Sequence, residues 1–346
     1  MTFKERYRED RMINNLRLGK GRSGFLQEGL GIWSKNGRGL YLPETLDRCK
    51  QLGIERKARI YMSRQEDPQG GKAFYFCGID PAKSETKKAD DGAIVVLRAL
   101  PLMTEQSPDP RTYDLSFCYA YKVRRADSAQ WGGIIHLLHS RFGFTGMMMD
   151  PGGGGVWIQP ELKKEEQKIR GIIRKVKPIG TIEDEEGMMI MADFILCMFR
   201  PRDMRIQQTW KEHVKMHPEN LIDIGHTEFV EGLNVGIAFP QHHRHLPRTE
   251  TALWPDEKKF AGHYVADPKS GIAAQLSQIF VLTDDMGKPL YTRTSTPARS
   301  FSSKAKKDFA YAAMFAYMRF LIWVRSAHDE LLVEDKDAAM SSGSSR

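Results

Sequence analysis

Cysteine is scarce: four in 346 residues (Cys49, Cys77, Cys118 and Cys197), far apart and with no CxxC pair. That spacing excludes a disulfide framework and a cysteine zinc site, and leaves reduced thiols in a cytoplasmic setting as the expectation. Long hydrophobic runs are missing too. The longest, Gly187 to Phe199, is broken by Asp193 and falls short of the ~20 residues a membrane-spanning helix needs. The opening stretch, MTFKERYRED, is charged throughout and does not read as a signal peptide. There is no phosphate loop of the form G-x-x-x-x-G-K-[ST]; in the nearest stretch, DPQGGKA, no hydroxyl residue follows Lys72. The chain by itself is therefore not expected to hydrolyse nucleotides through such a loop. The run PGGGG that follows Asp150 has the wrong spacing for a dinucleotide fingerprint and reads as a turn. QHHRHL, with His242, His243 and His245, lacks helical i, i+4 spacing and a carboxylate partner, and reads as surface histidines.

What is present is a basic balance and a patterned core. Lys and Arg number 52 against 44 Asp and Glu, a net charge of +8, which suits contact with a polyanion. Residues 1–70 read as an extended arm with one short helix, Pro43 to Leu52, stopped by Gly53. Strands are expected over Ala73–Ile79, Ala93–Leu100 and Tyr113–Val123. In DSAQWGGIIHLLHSRFG, the residues Trp131, Ile134, Ile135, Leu138 and Phe142 form one apolar stripe. That helix is capped by Asp127 or Ser128 and ended by Gly143. FTGMMMD is a further strand, followed by a basic helix over about Glu161–Arg174 and a fifth strand in KVKPIGTI. The order β-β-β-α-β-α-β implies an α/β fold, a mixed five-stranded sheet with helices on its faces. Residues 183–278 read as an insertion with a helix near Arg205–Val214. IFVLTDDMGKPLYT reads as a hairpin, Lys304–Val324 as the last helix, and residues 331–346 as a disordered tail.

Two of the apolar strands end on an acid, Asp80 and Asp150. Neighbouring carboxylates at strand tips repel one another, and a divalent cation between them relieves that repulsion. Oxygen-only ligation favours magnesium or manganese, and two such ions about 4 Å apart would clamp the attacking and leaving oxygens of a phosphodiester. Asp308, near the start of the last helix, supplies a third acid. Lys304, Lys306 and Lys307 precede it, where the helix dipole disfavours cations, as though an external anion is expected there. Taken singly, each acid also reads as a turn or solvated residue, and the lysines as a solvated face.

Taken in order, these motifs resemble the C-terminal nuclease domain of tailed-phage large terminases, which has a ribonuclease H-like fold. FCGIDPAKSETKKADDGAIVVL resembles that family's first strand, with its Gly-x-Asp-Pro ending. FTGMMMDPGGGG resembles its fourth strand, and KKDFAYAAMFAYM its last helix. The resemblance implies that Asp80, Asp150 and Asp308 are catalytic and hold two Mg2+ or Mn2+ ions, with Asp90 or Asp91 as a further ligand. It also implies that strands one and four lie side by side. Lys83, Lys87, Lys88, Lys304, Lys306 and Lys307 are the candidate phosphate contacts. SGFLQEGLGIWSKNGRGLYLPETLDRCKQLG resembles the segment leading out of the terminase ATPase domain. The implied layout is an arm (1–70), a nuclease domain (71–330) interrupted by the insertion, and the tail.

The implied activity is endonucleolytic cutting of double-stranded DNA during genome packaging. The implied setting is the host cytoplasm, with no membrane, alongside a separate ATPase part, a small terminase subunit and a portal. With no ATPase half, the chain is expected to be a fragment or a split-gene product. A ribonuclease H-like recombinase or resolvase, and an inactive DNA-binding or capsid-docking module, are the alternatives.

Overall fold

The computed structural model describes residues 40–82, 92–103, 109–123, 126–150, 155–169, 172–180, 189–191, 219–240, 271–283, 289–292 and 308–324. The chain divides into two compact units, one of Glu44–Gln275 with Lys306–Arg346, the other of Met1–Pro43 with Leu276–Ala305.

The core of the larger unit begins with three apolar strands, β1 (Phe74–Asp80), β2 (Gly92–Pro101) and β3 (Tyr113–Val123). They form an antiparallel meander with β2 in the middle. Their near-continuous burial is that of strands covered on both faces. Arg98, in the middle of β2, is tolerated there because Asp67 accepts hydrogen bonds from its guanidinium and, at 2.6 Å, from Tyr75 Oη. Burial pushes the Asp67 carboxyl up, but the bonds from Arg98 and Tyr75 outweigh it and hold the group below the usual range. This pairing ties the segment around Asp67 to the sheet. Residues 44–70 are grouped with the larger unit. Within them α1 (Pro43–Glu55) runs through Gly53 instead of stopping there. Gly53 serves another purpose: a Cβ there would overlap the Phe239 carbonyl.

The chain then forms α2 (Ser128–Phe142), capped by a reciprocal Asp127–Gln130 pair of bonds and ended by Gly143 at φ +59°. It returns as β4 (Gly146–Met149), parallel to β1. Beyond α3 (Val156–Leu162) the expected basic helix is absent. An antiparallel hairpin, β5 (Glu166–Ile169) with β6 (Ile172–Lys175), stands in its place. The reason lies in the alternation: Gln167 and Ile169 are buried while Glu166 and Lys168 are exposed, a period of two. Residues 176–180 form no strand. The fifth strand is β7 (Met189–Met191), parallel to β4 and inside the span read as an insertion. After α4 (Glu219–Val235), β8 (Ile237–Ala238) adds a two-residue edge beside β3.

The sheet order is β7-β4-β1-β2-β3-β8. The expected α/β architecture is present, a mixed sheet of five strands with a short sixth at its edge. Successive residues of β1 serve opposite faces. Tyr75, Cys77 and Ile79 join Met147 and Met149 of β4 in a core with Trp131, Ile135, Leu138 and Phe142 of α2. Phe74 and Phe76 meet the other face, where the last helix, α6 (residues 308–324), packs with Phe320 and Trp323. α4 lies along α6, with Phe229 against Tyr317. α5 (Ile272–Leu276) precedes the smaller unit's hairpin, β9 (Phe280–Thr283) and β10 (Pro289–Thr292), which matches the sequence expectation. The helix expected near Arg205–Val214 and the tail 331–346 lie outside the described residues.

Candidate active site

β1 and β4 run in parallel register, Ile79 opposite Met149. The Asp150 N–H donates to the Ile79 carbonyl at 3.1 Å and carries the ladder one residue past the strand. Asp80 and Asp150 therefore stand level at the C-terminal ends of adjacent strands, whose main chains lie about 4.8 Å apart. The alternation that sends Ile79 and Met149 towards α2 sends the next residues, Asp80 and Asp150, to the face that α6 covers. Both acids are half-buried.

α6 brings the third acid to the same end. Its axis runs opposite to β1: Phe74 meets Trp323 at 4.6 Å between ring centroids, and Phe76 meets Phe320 at 5.5 Å. Further along β1, an ideal Cβ on Gly78 would lie 1.9 Å from the Ala312 carbonyl oxygen and 2.4 Å from the Ala316 nitrogen. From Phe74 to Gly78 the strand rises about 13 Å, and from Trp323 to the Ala312–Ala316 turn the helix rises by about the same. Continuing two residues along β1 reaches Asp80, and about one helical turn along α6 reaches Asp308. The glycine and the small side chains of Ala312, Ala313 and Ala316 are what let helix and strand backbones come this close.

The start of α6 is held from outside the helix. The first N–H groups of a helix have no partner within it. Here the buried amide of Gln275, on α5, accepts from Phe309 N at 2.8 Å and Ala310 N at 3.4 Å. His226 of α4, 1% exposed, lies with its ring 5.5 Å from that of Tyr311, one turn past Asp308. Neither Gln275 nor His226 was singled out from the sequence. The signal for His226 was the helical spacing of Ile222, His226, Phe229 and Leu233. Gln275 left none, because its partner lies on another element.

Asp90, Asp91, Lys83, Lys87 and Lys88 lie outside the described residues, as do Lys304, Lys306 and Lys307. The flanks of the 83–91 segment, Ala82 and Gly92, are at the acid end, since Asp80 pairs with Ala93. Beyond Asp150, a Cβ on Gly155 would lie 2.3 Å from the Asp150 carbonyl oxygen.

In donor chemistry, three carboxylates at one end of the sheet suit a hard divalent cation. In geometry, no group of three or more His, Cys, Asp or Glu side chains among the described residues is arranged to hold a metal ion. Ligation by Asp80, Asp150 and Asp308 together would require side-chain rotation, which half-exposed carboxylates can make.

Two solved structures resemble the chain. One is the large terminase nuclease from thermophilic phage G20c, 10% identical over 71% of this chain and 82% of that one, with a TM-score of 0.34. The other is the same nuclease with bound magnesium, 10% identical over 81% of this chain and 96% of that one, with a TM-score of 0.37. No family model and no curated protein matches. Among the described residues, no helix is long and apolar enough to cross a membrane.

Proposed function

We propose that this chain is a metal-dependent endonuclease that cuts double-stranded DNA during phage genome packaging, with a terminase ATPase part among its partners. The observation that supports this reading is the register of β1 and β4. It sets Asp80 and Asp150 level on the face covered by α6, whose first described residue is Asp308. The motif resemblances around these three residues supply the biological setting, including the small subunit and portal as partners and the host cytoplasm as location.

In this reading Asp80 and Asp150 form the rigid part of the site, since both are anchored by the sheet ladder. Asp308 closes the site from the helix side, and Asp90 or Asp91 adds a further carboxylate from the loop after β1. Two Mg2+ or Mn2+ ions held there would supply Lewis-acid polarisation of the phosphodiester and activation of water. Lys83, Lys87, Lys88, Lys304, Lys306 and Lys307 would hold the duplex through its phosphates, which fixes position without reading sequence.

The test is plasmid cleavage in the presence of manganese. The parent chain is expected to nick and linearise the plasmid. Asp80→Asn, with an unchanged melting temperature, is expected to lose about 100-fold or more of that rate. An Asp80→Asn protein that is folded and cuts like the parent refutes the reading. Four-way junctions cut in preference to linear duplex would favour a resolvase instead.

A further inference from the structure

α3 buries one side and exposes the other. Ile158 and Leu162 are 2% and 1% exposed, whereas Val156 and Trp157, in its first turn, are 57% and 64% exposed. Pro160 and Lys163 continue the outward side at helical spacing. An exposed apolar residue is ordinary in itself, and Leu102 is equally exposed at 64%. Leu102, however, follows the end of β2 that pairs with the start of β1, at the opposite end of the sheet from Asp80.

What distinguishes Trp157 is its attachment. α3 begins hard against the second candidate acid: besides the Asp150 carbonyl oxygen at 2.3 Å, a Cβ on Gly155 would meet Met149 Cγ at 3.1 Å. Two residues further on, the helix has risen only about 3 Å. The Trp157 main chain thus lies within roughly 10 Å of the Asp150 carbonyl oxygen, about three steps along a duplex that rises about 3.4 Å per base pair.

An indole presents a broad apolar face with an N–H at its rim. Such a face stacks on bases or wedges between base steps, and does so with little regard to sequence because every base has a π face. A nuclease that grips its substrate through phosphates has many equivalent registers along the duplex. An apolar contact at a fixed offset from the acids would select one of them.

We infer that Trp157, flanked by Val156, is a positioning contact for duplex DNA, lying against bases or sugars within a few steps of the phosphodiester presented to Asp150. The inference rests on the nuclease reading. Its test is steady-state cleavage of a defined linear duplex with manganese by the parent, Trp157→Ala, Trp157→Phe and Leu102→Ser. Trp157→Ala is expected to raise KM about tenfold with kcat changed by less than about threefold. Trp157→Phe, which keeps an aromatic face, is expected to recover most of the loss, and Leu102→Ser to match the parent. If the parent cuts and Trp157→Ala matches it, or if Leu102→Ser loses as much, the positioning role is overturned while the nuclease reading stands. If the parent neither binds nor cuts the duplex, both fall.

Discussion

Gly78 carries a constraint that none of the acids carries. The atoms that its Cβ would strike belong to the main chain of α6, so no side-chain rotation relieves the clash and strand and helix must separate. Gly78→Ala is therefore expected to lower stability by about 2–3 kcal/mol, at the upper end of overpacking costs, measured as a fall in the urea midpoint. Because the same displacement moves Asp308 from Asp80, cleavage should fall further than the folded fraction does. An alanine variant with the parent's midpoint would show that α6 does not sit on β1 as described. The sequence makes the acids legible for a local reason: a carboxylate that ends an apolar strand breaks the pattern around it. Gly78 leaves no such mark, since its requirement comes from a helix far along the chain. Trp157 is equally silent in the sequence, because an aromatic at that position reads as core until the burial of its neighbours is known.

Elements were legible where their signals are local. α2 carries its own cap, stripe and terminating glycine, and it formed as expected. The stretch over Glu161–Arg174 misleads because its many charges suit a solvated helix. Only the alternation of Gln167 and Ile169, together with the β-branched pair Ile172 and Ile173 after Gly171, marks a hairpin. β7 could not be separated from its surroundings, since MMIM is a short apolar run that suits strand or helix equally. α6 depends on a partner that no local rule reveals, the Gln275 amide. Gln275→Ala removes the acceptor for two first-turn N–H groups and is expected to cost about 1–2 kcal/mol. Gln275→Glu keeps an acceptor and places negative charge at the helix N-terminus, and is expected to restore most of that loss. Chemical denaturation of the two variants checks this, and equal midpoints for Gln275→Ala and the parent would contradict it.

Across the whole molecule, fold class followed from the order of apolar strands and amphipathic helices, and the sheet order agrees with it. That strands one and four lie side by side is what the resemblance implies, and the parallel pairing of β1 with β4 agrees with it; that α6 runs antiparallel across them is stated by no pattern. The net charge of +8 then has a consequence. A basic chain draws in a polyanion, while carboxylates at one end of the sheet repel it unless cations intervene, so in the proposed reading metal and duplex are expected to bind together. The most direct measurement is a crystal soaked in manganese, read by anomalous scattering. Manganese is expected at the C-terminal ends of β1 and β4, touching the carboxylates of Asp80, Asp150 and Asp308. Manganese bound elsewhere, or no peak at that end of the sheet at millimolar metal, would contradict the account.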